Sequence, residues 1–334
     1  MAESALSMTI WNVLERVADS MGYTHRPGGD AWEVVKAIVE SGYRQYLFPV
    51  IPAEKTPHKW SWLSPTATLA LAADDYDYDL PEDFGGLVGT FTYAADVRER
   101  PIQIVGEGKI RELRAASDED GDPWFVAVRP KAFTIATGQR WEAIFYPTPD
   151  QTRTMTYRYD VLLGDLWGLR TSGTATISVA ADDRLVLTDA TATFTTTASA
   201  GNVIILDEAT DTVSESMYFV KTVDTNTQIT ATAVTDQAGQ ADYYIYPHAR
   251  YPAGGAQYCE TFLAICMALA EKRRDDMAGV MSMEAERLLR AAVMYDRSHA
   301  PDYLGQNLDA SDGPEFLPTH DFLKYQYGGV DLGP

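Results

Sequence analysis

The sequence predicts an α+β protein: a four-helix bundle assembled from both chain ends, an antiparallel β-sandwich in the middle, an inserted Thr-rich all-β module and an extended C-terminal arm. Three observations predict it. Apolar residues recur at helical spacing near both ends of the chain, they alternate with polar residues from Trp60 to about Leu163, and the composition changes abruptly across residues 171–246. The divisions that follow are 1–50 for an N-terminal helical pair, 51–168 for the β-sheet domain, 169–248 for the insert, 249–300 for a C-terminal helical pair and 301–334 for the arm.

Ile10, Val13, Leu14, Val17 and Met21 share one face of a first helix near 8–21, which Pro27, Gly28 and Gly29 break. Asp30, followed three residues later by Glu33, reads as the N-cap and capping-box partner of a second helix near 31–47. Trp32, Val35, Ile38, Val39 and Tyr46 form its stripe, and Pro49 and Pro52 end it. Helices this short are marginal alone, so both must pack on something else.

WSWLSPTATLALAAD then alternates as a strand does, with Trp60 and Trp62 on one face; LVGTFTYA, PWFVAVRP, RWEAIFYP and RTMTYRYDVL read likewise. Ile110 to Ser117 reads as one short helix between them. Residues 171–246 hold 17 Thr and no Pro, Trp, Cys or His, with ten acids against Arg184 and Lys221. Their β-rich runs TATISVA, RLVLT, NVIILD, SMYFVKTVD, QITATAV and DYYIY suit a small all-β module. Trp167-Gly168 and Pro247-His248 mark its seams. The expectation is a plug-in barrel whose deletion leaves the rest folded.

The helical period returns with Cys259, Phe262, Leu263, Cys266, Leu269 and Ala270, and again with Met281, Ala285, Leu288, Ala292 and Tyr295, for helices near 256–274 and 280–298. Lys272, Arg273 and Arg274 stand at the end of the first, where the helix dipole favours cations. Beyond Pro301 the chain carries Gly, Pro, Asp and aromatic residues without a period.

Composition narrows the function. Twenty-seven basic residues against 48 acidic ones give a net charge of −21 and a pI near 4.5, which excludes an ordinary basic DNA-binding module. Two cysteines exclude a disulfide scaffold and a Cys-rich metal site. Mean hydropathy is −0.21 and no apolar run approaches 18 residues, so no membrane span is expected. MAESALSMTIWNVLERVADS lacks the basic and apolar regions of a signal peptide. The expectation is an acidic globular protein made in the cytosol.

Candidate chemistry is thin. His25, His58, His248, His299 and His320 are scattered near turns, and no pair takes H-E-x-x-H spacing. Cys259 and Cys266 lie two helical turns apart on an apolar stripe, as core residues do. Asp118, Asp120 and Asp122 alternate as a calcium loop begins, but Pro123 stands where its glycine belongs and Arg129 where its closing Glu belongs. The acidic stretch Asp74 to Gly86 reads as a charged loop. VGEGKIREL lacks the spacing of a phosphate loop and reads as a tight turn exposing Lys109. No catalytic, cofactor-binding or metal residue is expected, and no cofactor.

The segments EVVKAIVESGYRQYLFP, KWSWLSPTATLAL, YDLPEDFGGLVG, PGGAQYCETFLAICMALAEKRRDD and AAVMYDRSHAPDYLGQNLD, taken in order, resemble the head-to-tail connector (adaptor) proteins of tailed bacteriophages. YDLPEDFGGLVG and YLGQNLD are the more specific signatures. The likeness covers about 1–165 and 249–312; the insert departs from the shorter members and resembles Thr-rich β-modules of other phage structural proteins. The resemblance implies a homo-oligomeric ring, usually twelve-fold, in the virion neck between portal protein and tail or nozzle proteins. It implies no catalytic residue, and a channel through which genome DNA passes without sequence-specific binding. An acidic ring suits that task, because attraction to phosphates needs Lys and Arg. The resemblance also points the arm toward the portal, with Tyr303, Phe316, Phe322, Tyr325 and Tyr327 as candidate docking anchors. Two other classes stay open: a receptor-binding or decoration protein using the Thr-rich module, and a virion glycosidase or peptidase.

Overall fold

The computed structural model describes residues 4, 6–50, 57–93, 102–117, 119–134, 138–180, 184–208, 216–234 and 239–299. Residues through Val293 form one compact unit; Met294–Pro334 form a second, described only through residue 299 as the end of a helix. The chain opens with helices α1 (Ile10–Met21) and α2 (Gly29–Leu47). Strands β1 (Thr66–Leu71), β2 (Asp77–Asp79), β3 (Phe84–Tyr93) and β4 (Gln103–Ile104) lead to helix α3 (Glu107–Ala116), then to β5 (Phe125–Thr134), β6 (Gly138–Tyr146) and β7 (Arg153–Val161). The insert follows as β8 (Thr171–Val179), β9 (Arg184–Thr188), the single turn α4 (Phe194–Thr197), β10 (Val203–Glu208), β11 (Ser216–Thr225), β12 (Gln228–Val234) and β13 (Gly239–Tyr246). Helices α5 (Cys259–Asp275) and α6 (Val280–His299) close the described chain.

Helices from both chain ends share one core. Val13, Leu14 and Val17 of α1, Val35, Ile38 and Val39 of α2 and Phe262, Ile265 and Cys266 of α5 are buried together, and α6 adds Ala285, Ala292 and Val293. Gly42 lets α2 and α5 approach closely: a Cβ there would sit 2.5 Å from the Cys266 Sγ and 3.3 Å from its Cα. Helix α1 carries a capping box built on Asn12 in place of the usual Glu or Gln. Thr9 Oγ1 accepts from the Asn12 N–H at 3.2 Å, and Asn12 Oδ1 accepts from the Thr9 N–H at 3.1 Å. At α2 the expectation fails: the N-cap is Gly28, without a side-chain cap, and Asp30 lies inside the first turn. There its charge still complements the helix dipole.

The middle is a sandwich of two sheets, β1-β7-β3 and β2-β6-β5-β4, closed over Leu71, Phe91, Phe145, Met155 and Tyr157. All its pairs are antiparallel except the short β4–β5 pair, which is parallel. Helix α3 covers the outer face of β5 and β6 through Ile110, and Arg114 lays its guanidinium 3.5 Å above the Tyr76 ring. Trp60 and Trp62 do not belong to the strand. A short 3-10 turn, Ser61–Leu63, precedes β1, and both indoles turn into the helical core beside Tyr46 and Tyr258. Their i, i+2 spacing fits a strand as well as a turn, and aromatic bulk outweighs alternation here.

The insert is a closed six-stranded antiparallel barrel in the order β10-β11-β12-β9-β8-β13. Ile177, Leu187, Phe194, Ile204, Val220, Ile229 and Ile245 fill its interior. Its outside is not polar all round. Val203 and Ile205 of β10, Met217 of β11 and Tyr246 of β13 point the other way and are buried with the helices. The barrel therefore has its own core and also completes another, which removes the physical basis for a freely removable insert.

Candidate assembly surfaces

The seams of the barrel meet in an aromatic box. Trp11 of α1 and Trp32 of α2 stack at 5.6 Å with their planes 14° apart. Trp167, just before the barrel, lies 5.4 Å from Trp11 and 5.2 Å from Trp32, and Tyr246, its last strand residue, lies 5.7 Å and 5.9 Å from them. The indoles also find partners. Trp11 Nε1 donates to the Pro247 carbonyl at 3.0 Å, and Trp167 Nε1 donates to Glu40 Oε1 at 2.9 Å. Rings at these separations gain beyond their area burial. Next to the box, the Arg250 guanidinium lies so close to Gly168 (φ 64°) that a Cβ there would meet it at 2.5 Å. Arg250 donates to the Asp165 carbonyl at 2.9 Å, and its own carbonyl accepts from the Ile10 N–H at the same distance. Both ends of the insert are thus held by the N-terminal helices.

Inside the barrel Asp189 is buried and acts as a tie. Its carboxylate accepts from the Thr191 N–H at 2.8 Å, the Thr191 hydroxyl at 2.7 Å and the Tyr243 hydroxyl at 2.7 Å. Burial by itself pushes this carboxyl up, but those hydrogen bonds outweigh it and hold it below the ordinary carboxylate range. Burial, then the bond and charge of Asp189, push Tyr243 up. Because the folded value of Asp189 is depressed, its stabilisation is complete above the unfolded value near pH 4 and is lost as pH falls through the folded value. Asp189→Asn is expected to cost about 1–3 kcal/mol at pH 7. The gap between wild type and variant in thermal unfolding should narrow below about pH 4.

The other sequence candidates fall into structural roles. Burial pushes the Cys266 thiol up, and Cys259 is buried with its Sγ 3.6 Å from the Gly255 carbonyl. His25 lies 3.0 Å from Asp19 and 3.4 Å from Glu15, His58 packs edge-on to Trp60, and His248 packs edge-on to Phe219. Asp122 pairs with Arg153 at 3.1 Å and Asp120 bridges to Thr148 by backbone, so this part of the acidic turn is fastened to the sandwich; Asp118 lies outside the described residues. Lys109 pairs with Glu112 at 3.1 Å in the first turns of α3. Among the described residues no three His, Cys, Asp or Glu side chains are grouped to hold a metal ion. No helix is long and apolar enough to cross a membrane, among the same residues. Tyr303, Phe316, Phe322, Tyr325, Tyr327 and the side chains of His299 and His320 lie outside the described residues.

The stretches that carry the family resemblance have demanding local structure. In YDLPEDFGGLVG, the Leu80 N–H donates to the Trp141 carbonyl at 3.0 Å, Asp83 accepts from the Tyr159 hydroxyl at 3.2 Å, and a Cβ on Gly85 would meet Leu162 at 2.8 Å. In PGGAQY, Gly254 takes φ 98° with Tyr46 and Tyr258 so near that a Cβ would stand 2.8 Å from each. YLGQNLD lies outside the described residues.

Large apolar side chains nevertheless face solvent. The β5–β6 ribbon presents Phe133, 70% exposed, beyond the three residues where β2 pairs with β6 and the two where β4 pairs with β5. The turn between α5 and α6 presents Met277, Val280 and Met283, each at least 66% exposed. No protein-family model matches the chain, and no curated protein matches it.

Proposed function

We propose that the protein is a structural subunit of the tailed-phage virion neck: a head-to-tail connector that assembles, twelve copies to a ring, between portal and tail and continues the DNA channel. In this reading the four helices form one bundle, neighbouring copies meet through bundle and sandwich surfaces, and the channel wall carries net negative charge. The carrying observation is the pairing of a braced scaffold with large apolar side chains that are exposed among the described residues. Helices and barrel are locked through the Trp11–Trp32–Trp167–Tyr246 box, while Phe133 and the α5–α6 turn stand out into solvent. Such side chains find their place in a subunit interface. The sequence resemblance and the net charge of −21 support the same reading.

The arm beyond Pro301 is the strap to the portal, with Tyr303, Phe316, Phe322, Tyr325 and Tyr327 as anchors. The test is binding of the full chain to portal rings of the same phage, beside a chain truncated after Pro301. Loss of at least tenfold in affinity is expected. Unchanged affinity would move the portal contact to the helices, and no binding by the full chain would contradict the connector reading.

A further inference from the structure

The turn between α5 and α6 is fixed from three sides. Asp276 closes α5 in the left-handed region at φ 54°. Glu271 Oε2 accepts from the Gly279 N–H at 3.0 Å and the Ser282 N–H at 3.3 Å, which caps α6. Arg274 donates to the Ser20 carbonyl at 2.7 Å and pairs with Asp275 at 3.0 Å. At this braced corner three large apolar side chains, Met277 in the turn and the i,i+3 pair Val280 and Met283 on one face of α6, are 66–70% exposed within seven residues. Single exposed apolar residues are ordinary, but a cluster marks a contact surface, and methionines adapt to the shape laid on them. Lys272 and Arg273 flank the cluster, both exposed and neither in an ion pair among the described residues. Residues 271–276 carry three cations against Glu271, Asp275 and Asp276, so this corner is neutral in a chain that is otherwise strongly acidic, with Lys272 and Arg273 as its cations outside any ion pair among the described residues.

A surface of methionines edged by free cations fits a segment that is apolar and purely acidic. Beyond α6 the chain offers such a segment: PDYLGQNLDASDGPE, residues 301–315, has Asp302, Asp309, Asp312 and Glu315 with no Lys, Arg or His, interleaved with Leu304 and Leu308. We propose that residues 301–315 of a second copy of this chain dock on the α5–α6 turn, with their acids on Lys272 and Arg273 and their apolar residues on the methionines. A stretch of fifteen residues can span up to about 50 Å. That is enough to reach across a neighbour with a radius of gyration of about 20 Å. Turn and segment are different surfaces, so in the ring of the connector reading the contact is heterologous and repeats from copy to copy. Tyr303 and the aromatics from Phe316 on stay available for a partner ring. The inference rests on the ring reading, which it deepens by naming a subunit contact.

The test uses full-length chains in sedimentation velocity at low salt, with circular dichroism confirming that each variant is folded. K272E/R273E and D309K/D312K should each weaken self-association at least tenfold. Combining both pairs in one chain should restore it. Mixing the two separate variants should restore it as well, because each one's segment then meets the other's turn. Variants that assemble like wild type would overturn the docking, and so would a mixture that stays dissociated, since the contact would then lie within one chain. A monomeric wild type would overturn the ring reading itself, so the two failures are told apart.

Discussion

Trp11→Ala is expected to destabilise the helical core and the barrel together, by about 3–5 kcal/mol. The indole is 1% exposed, stacks on Trp32, and touches Trp167 and Tyr246 at both ends of the insert. Its removal opens a cavity bounded by three separate chain segments that local collapse will not refill. It also strands the Pro247 carbonyl, which adds the cost of an unmet hydrogen bond. Chemical denaturation followed by tryptophan fluorescence and far-ultraviolet circular dichroism should show one shifted transition in both signals. Val50→Ala, at a position 61% exposed, is the matched control and should stay within about 0.5 kcal/mol. Two transitions in the Trp11 variant, with the barrel signal unmoved, would show that the barrel does not depend on the box.

Deleting the insert is the second large effect. Joining Leu169 to Ala249 through a short linker is sterically simple, because β8 and β13 are neighbours and Arg170 N–H donates to the Ile245 carbonyl at 2.9 Å. The consequence lies elsewhere. Val203, Ile205, Met217 and Tyr246 leave the helical core, and Trp11 and Trp32 lose a wall. Several fully buried side chains at about 1.5–3 kcal/mol each approach the whole stability of an ordinary domain. The shortened chain is expected to aggregate or to lose cooperative unfolding. A soluble, cooperatively folding deletion would mean that the helices close over the gap.

The reason the sequence suggested a removable insert, and the structure does not, lies in a few residues. Thr content and strand spacing located all six barrel strands, but they say nothing of what the outer face touches. That signal was in Val203-Ile204-Ile205-Leu206, an unbroken apolar run, which belongs to a strand buried on both faces. Met217-Tyr218-Phe219-Val220 says the same of β11. At α2, Asp30 and Glu33 match a capping box by spacing, yet the glycines before them allow the helix to begin earlier. At Thr9 the box uses Asn12, so the usual Glu or Gln pattern missed it. The sequence placed Met281 and Tyr295 on the apolar stripe of α6, yet they are 41% and 44% exposed, and the exposure of Met277 and Met283 beside them shows only in the packed structure. The proposed anchors Tyr303, Phe316, Phe322, Tyr325 and Tyr327 still rest on the sequence alone.

The central claim is that this chain is a ring subunit, and its most direct test is the native mass and symmetry of the purified full-length protein by mass spectrometry and electron microscopy. The connector reading predicts a closed ring of twelve copies of the 36.9 kDa chain around an open channel. A closed trimer would favour a receptor-binding or decoration protein built on the Thr-rich barrel, and a monomer at micromolar concentration would contradict the ring altogether.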